Sequence, residues 1–518
     1  MKGFGEKFKY KKQKTAKNIS SQEQIINQAI HFHLKGNIRE AAKCYQYCLN
    51  QGINDHRVFA NYAGILQRVG KLKEAELFTR KALEIKPDFA EAHSNLGSIL
   101  SSLGKLKEAE LSLKKAIEIK PDFADAYYNL GNILRDISKL QEAEISYRRA
   151  IKIKPNYAEA HSNLGSILKD LGKLQEAEIS YRRAIEIKPN YAELHSNLGS
   201  ILSDLGKLQD AEVSINKAIE LDPENKSIKS NLISLLTVYK PKIQFSNQIY
   251  ILNEEFRNLS LRKQDNSIIT DKEAIQVYKD GFEIYRKYNL DLETSLSQIY
   301  KRNEINLNCN RHKLIFNQKK IIPEFCFECY KVQVEVDSIV ELIKLFLVFN
   351  TLELENSNTR KCMVEIRENI SGFYKGLIYC ANLPEALDIS KKLNIHLQNN
   401  IRVNLSSKIK RGCSEYALEF PKYKEINING KQPMEYNKKW KNIEKEIDEG
   451  NKNWGESNES IQGFSLNDFL IIRNWISYAQ KIGDESVKKI TNEQINIPKS
   501  LKFSSRDFCS KQTPNKHS

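Results

Sequence analysis

The sequence predicts two architectures in one chain: an α-helical solenoid, then an α+β domain of βαββαβ order with extra helices. Three observations carry this. Pro87, Pro121, Pro155, Pro189 and Pro223 recur every 34 residues. The segments between them are near-copies, as in AEAHSNLGSILSSLGKLKEAELSLKKAIEIKPDF and AEAHSNLGSILKDLGKLQEAEISYRRAIEIKPNY. That period stops after Tyr239, and strand-like alternation replaces it from Tyr330 onward.

Within one period the apolar residues fall at helical spacing: Leu96, Ile99, Leu100 and Leu103, then Ala109, Leu113, Ala116 and Ile117. Gly97 and Ala109 let two helices approach closely. Gly104 followed by Lys105 allows a turn between them. Pro121 ends the second helix. One such hairpin cannot bury its apolar face alone, so neighbours must stack.

With Ala90 as position 1, Leu96 and Gly97 fall at 7 and 8, Ala109 at 20, Ala116 at 27 and Pro121 at 32. In these positions the chain resembles the tetratricopeptide repeat (TPR) family. The frame gives six repeats, 22–55, 56–89, 90–123, 124–157, 158–191 and 192–225, and a further first helix over 226–238. The first repeat has Ile53 in place of the proline, while Ala29, Ala41 and Tyr45 keep frame. Terminal repeats are expected to be atypical because they cap the stack. The resemblance covers about 40% of the chain. It implies a right-handed superhelix whose concave groove is lined by first-helix positions 2, 5, 6, 9, 12 and 13.

Position 6 is asparagine throughout: Asn27, Asn61, Asn95, Asn129, Asn163, Asn197 and Asn231. Position 5 is Ser94, Ser162 or Ser196, with Tyr128; position 9 is Ser98, Ser166 or Ser200, with Asn132. An amide offers two donors and an acceptor, which suits the backbone of an extended peptide. Asn61, Asn95, Asn129, Asn163, Asn197 and Asn231 are therefore candidate peptide-binding residues, and they resemble the asparagine ladders of O-GlcNAc transferase arrays. The alternative is that some copies satisfy neighbouring backbone. The family's basic clamp for C-terminal carboxylates is poorly matched, since position 2 is Glu91, Asp125, Glu159 or Glu193.

Charge locates other functions. The 518 residues carry +16, but residues 1–18 hold +6 and residues 498–518 hold +4. Charges over 22–225 cancel, which argues against the array as a nucleic-acid surface. The basic ends read as solvated tails, 1–21 and 498–518. No apolar run reaches the length of a membrane span, and the N-terminal segment has no apolar core of a secretory leader. Nine cysteines in a chain this long suit a reducing cytoplasm.

Residues 239–305 read as a helical linker region. An α+β domain is expected over 306–497. Near its start, Cys309, His312, Cys326 and Cys329 form two short pairs separated by a spacer. That is the form of a closed, structural zinc site, with the spacer as a small ribbon. The other reading is four unlinked residues, the cysteines serving as small core hydrophobes. Then KVQVEV, RKCMVEIR, YKGLIYCA and RVNLSSKIKRG read as strands, with helices SIVELIKLFLVFN and PEALDISKKLNIHLQNN between them. The order is the split βαβ unit of ferredoxin-like folds. Cys362, Cys380 and Cys413 are expected as buried thiols. Helices are expected over 435–449 and 465–490, the second packing on the sheet.

The third strand, Lys375-Gly376-Leu377-Ile378-Tyr379, partly resembles the aromatic strand of RNA-recognition modules, and Lys408, Lys410 and Arg411 lie nearby. The leading functional expectation is a protein-interaction scaffold that binds an extended peptide or partner protein in its groove. Two alternatives stay open: an enzyme whose array recruits a protein substrate, and nucleic-acid binding by the α+β domain. No glycine-rich phosphate loop, nucleophile elbow or HExxH supports an enzyme.

Overall fold

The computed structural model describes residues 22–241, 247–259, 261, 268–303, 307–367, 370, 372–450 and 458–490. Both basic tails lie outside the described residues. The chain divides into two compact units: residues to Leu171 with Glu186–Lys188, and Gly172–Ile185 with Pro189 onward.

The first unit is tandem helices, at 22–34, Ile38–Asn50, His56–Arg68, Leu72–Ile85, Ala90–Ser102, Leu106–Ile119, Ala124–Asp136, Leu140–Ile153 and Ala158–Asp170. Small residues set the approach within each hairpin. A Cβ on Gly97 would lie 2.6 Å from Leu113 Cγ, and one on Gly131 would lie 2.6 Å from Tyr147 Cε1. Ala75, Ala109 and Ala143 are completely buried. The turn residue Gly104 has φ 76°, and Ser138 takes the same left-handed conformation at φ 61°. Serine stands there at a cost glycine avoids.

Charged pairs staple one repeat to the next. Glu76 accepts from Lys105 at 3.1 Å, and Glu110 lies 3.6 Å from Lys139. The imidazoles of His93 and His161 close on the carbonyls of Pro87 and Pro155, each at 2.9 Å. The position-2 carboxylate of Glu91 is used within its own repeat, 3.1 Å from Lys120.

The second unit carries Ala192–Asp204, Leu208–Leu221 and Lys226–Leu235, then Gln248–Arg257 and Asp271–Arg286. Its sheet has five strands: β1 (Gln298–Lys301), β2 (Tyr330–Val336), β3 (Arg360–Val364), β4 (Tyr374–Cys380) and β5 (Ser407–Arg411). They lie in the order β1-β3-β4-β2-β5, and every neighbouring pair is antiparallel. Val332 stands opposite Ile378 and Ile409, while Lys331 stands opposite Tyr379 and Lys410.

Side chains alternate across a strand, so these two rows face opposite ways. The helix Ile339–Thr351 covers the Val332 face: a Cβ on Gly376 would meet Leu345 Cδ2 at 2.6 Å and Phe349 Cζ at 2.8 Å. The helix Leu383–Asn400 covers the same face, with Ser390 Oγ 2.9 Å from Ser407 Oγ. The other face carries Lys331, Lys361, Lys375 and Tyr379.

Three expectations are corrected. Residues 239–305 are not purely a helical linker, because Gln298–Lys301 forms the edge strand β1 beside β3. Their helices also enter the core: Phe256 stacks on Phe469 at 5.0 Å, and Gly281 leaves room for the Phe469 ring. A four-residue strand is too short to show a period. The spacer between the cysteine pairs is the helix Cys309–Lys319 and a short turn, not a ribbon. The helix expected over 465–490 ends at Lys481, and from Leu466 to there it is buried almost all round. Its Trp475 indole donates to the Ser297 carbonyl at 2.8 Å.

Candidate functional site

The position-6 asparagines fall into two groups. Asn163 donates from Nδ2 to Asn132 Oδ1 at 2.9 Å and to the Tyr128 hydroxyl at 3.3 Å. Asn132 also accepts from the Tyr147 hydroxyl at 2.8 Å. Asn231 donates to Ser196 Oγ at 2.9 Å. In both cases position 6 of one repeat reaches position 5 of the repeat before it. Asn61 lies in hydrogen-bonding reach of the Tyr45 phenol. These amides lock repeats together.

Asn95, Asn129 and Asn197 differ. None of the three makes a side-chain hydrogen bond among the described residues. Asn197 is exposed, and Asn95 and Asn129 are partly exposed. Their amides leave both donors and the acceptor unused by side-chain partners among the described residues.

The four candidate metal ligands border one cavity. Among the described residues, no group of three His, Cys, Asp or Glu side chains is placed to hold a metal ion. His312 stacks on the Phe325 ring at 5.4 Å. Burial, then the neighbouring Arg311 charge, pushes its pKa down to about 4, so it is neutral at pH 7. Cys326 is buried and its thiol faces the Tyr416 hydroxyl at 3.7 Å. Burial pushes the Cys329 thiol up to about 11.

Cys309, His312, Cys326 and Cys329 all line a cavity of about 350 Å3 on the sheet face that Ile339–Thr351 and Leu383–Asn400 leave open. Cys413 lines it too, while Cys362 and Cys380 are buried. Lysines dominate this face. Lys331 is 7% exposed; its ammonium lies 3.5 Å from Cys413 Sγ and 5.0 Å from the Tyr379 ring centre. Lys361 is 9% exposed, donates to Gln298 Oε1 at 3.3 Å and sits over the Tyr300 ring. Burial and then the Lys331 charge bring the Lys361 pKa down to about 8. Lys410 donates to Ser414 Oγ, and burial lowers its pKa as well.

The RNA-recognition resemblance gains no open platform here. Lys375 is ion-paired to buried Glu365 at 3.2 Å, and Tyr379 is buried. Arg411 is buried among Phe327, Tyr330 and Tyr423 and donates to the Phe327 and Met434 carbonyls. Lys408, Lys410 and Arg411 stand out in the sequence of β5, whereas Lys331 and Lys361 carry no local motif. The available signal was register: alternate positions of β2, β3 and β4 carry Lys331, Lys361, Lys375 and Tyr379 to one face.

Comparison with known proteins names the class. Residues 97–135, 131–172 and 165–206 match a family model described as TPR repeat, and residues 192–225 match one described as tetratricopeptide repeat. This stretch is a TPR array, and TPR proteins bind protein partners. No family model matches the C-terminal part, and no curated protein matches the chain.

Among solved structures, YrrB, a TPR protein with an unusual peptide-binding site, is 26% identical. The match covers 36% of this chain and 97% of YrrB, with a TM-score of 0.32. MamA is 27% identical over 31% of this chain and 94% of its own, with a TM-score of 0.30. Pseudomonas aeruginosa PilF is 17% identical over 40% of this chain and 96% of its own, with a TM-score of 0.38. Among the described residues, no helix is long and apolar enough to cross a membrane.

Proposed function

We propose that this chain is a protein-interaction scaffold whose first-helix asparagines hold an extended peptide or peptide-like segment of a partner. The observation that carries the reading is the split of the ladder: Asn163 and Asn231 are spent on inter-repeat bonds, while Asn95 and Asn129 keep their amides for a ligand. Amides that pair with main chain hold a strand without reading its side chains. The near-neutral array, with its carboxylates tied to lysines, gives no reason to prefer an acidic or basic ligand.

The test is site-directed photocross-linking of the full chain to peptides selected from a random display library. A photoreactive residue at Ser102, on the first-helix side, should cross-link the selected peptide. One at Lys115, on a second helix, should not. Equal cross-linking from both positions refutes the groove.

We further read β2 to β5 and their two helices as a ferredoxin-like sandwich, supported by the strand order β3-β4-β2-β5. A zinc ion on Cys309, His312, Cys326 and Cys329 stays a separate proposal, supported only by the shared cavity. About one equivalent of zinc in the purified chain, lost in Cys326→Ser, would support it; under about a tenth of an equivalent refutes it.

A further inference from the structure

The cavity over the open sheet face has an electrostatic imbalance that the fold does not settle. Six basic side chains line it against two carboxylates, Glu365 and Glu415. The carboxylates are already used. Glu365 holds Lys375 at 3.2 Å and Arg367 at 2.8 Å, and Glu415 also pairs with Arg367. Among the described residues, Lys331, Lys361 and Lys410 have no carboxylate partner. Their nearest polar contacts are a thiol, an amide oxygen and a hydroxyl. Lys331 and Lys361 are each more than nine-tenths buried.

A buried ammonium without a counter-charge is expensive, and real proteins pair such groups or bind something that does. Here two such lysines and the partly buried Lys410 line one cavity, Lys331 standing opposite Lys410 in the sheet register, and with Lys313 the lining carries an excess of four positive charges. The volume is that of a small-molecule site.

We propose that this cavity binds a small phosphate-bearing anion, held by Lys331, Lys361 and Lys410. Phosphate places about two negative charges and several acceptor oxygens on one compact centre, and lysine is a natural point-charge partner for it. The Tyr300 and Tyr379 rings form apolar walls beside the ammonium groups. Helices and turns overlie this face, with Cys309, Phe325 and Tyr416 also lining the cavity, so a compact ligand fits better than a strand laid across the sheet.

The experiment uses the full chain, with pyrophosphate and inorganic phosphate as probes and succinate as the carboxylate control. Calorimetric titration should show one saturable site for pyrophosphate, and a ligand that binds only the native state raises its melting temperature. Lys361→Met and Lys410→Met should each weaken binding at least about tenfold, as expected for a lost charge-assisted contact. Lys331→Met should abolish the ligand-induced shift while raising the melting temperature of the ligand-free chain, because an uncompensated buried charge is removed.

Four results overturn the proposal: no saturable phosphate binding, succinate binding as tightly as pyrophosphate, unchanged affinity in both Lys361→Met and Lys410→Met, or a ligand-free chain destabilised by Lys331→Met. Tighter binding of a single-stranded oligonucleotide than of pyrophosphate overturns the compact-ligand assignment.

Discussion

Asn163→Ala tests whether the asparagine ladder divides as the structure shows. The amide donates at 2.9 Å to Asn132 and at 3.3 Å to Tyr128, and Asn132 sits under the buried Tyr147. A net hydrogen bond contributes about 0.5–1.5 kcal/mol. One good bond and one long one then amount to about 1–2 kcal/mol. Asn95→Ala and Asn129→Ala remove no bond, so each should stay within about 0.5 kcal/mol of wild type. The assay is denaturant unfolding of the full chain followed by circular dichroism, with all three variants run together. Repeat arrays need not unfold in one step, so the comparison is the shift of the array's transition rather than a fitted total. If Asn163→Ala is as silent as the other two, the inter-repeat lock is refuted. If all three destabilise equally, the ladder is structural throughout and the peptide reading fails with it.

Other consequences follow from packing and charge. Gly131→Ala places a Cβ 2.6 Å from the Tyr147 ring and should cost about 1–3 kcal/mol in thermal unfolding. Gly64→Ala, with nothing within 4 Å of the added Cβ, should instead gain about 0.5–1 kcal/mol. Ser138→Gly should stabilise the array by about 0.5 kcal/mol, because relief of the left-handed strain outweighs the added freedom of the unfolded chain. Acid should loosen the array. Hydrogen bonds from Arg80 and Lys114 hold the Glu76 and Glu110 carboxyls below their ordinary range. Their contribution is therefore present above about pH 4.5 and lost as pH falls through the lowered values, so helicity followed by circular dichroism should decline below that point.

The sequence told most where it repeated itself. Ala109, Gly97 and Pro121 recur at fixed offsets, so each copy checks the others, and the helices appear where the period put them. The ladder was visible as composition, but its division was not. Whether an Asn amide is free depends on what position 5 of the preceding repeat offers, Tyr128 and Ser196 here, and on how the helices stack. The sheet was legible in β2 and β4, whose alternation is long enough to read. β1 was not: its four residues join β3 only through tertiary pairing. The cationic cavity was hidden for the same reason. Lys331, Lys361 and Lys410 are far apart or on separate strands, and only register brings them together. The cysteine and histidine spacing was enough to put all four side chains on one cavity, but spacing constrains reach and not direction, and His312 stacks on Phe325.

The measurement that bears most directly on the central claim is the affinity of a selected extended peptide for the full chain and for the double variant Asn95→Ala/Asn129→Ala. At about 0.5–1.5 kcal/mol per lost bond, two rungs predict a loss of roughly 5- to 150-fold, with the unfolding transition unchanged. An undiminished affinity in a folded double variant would contradict the account.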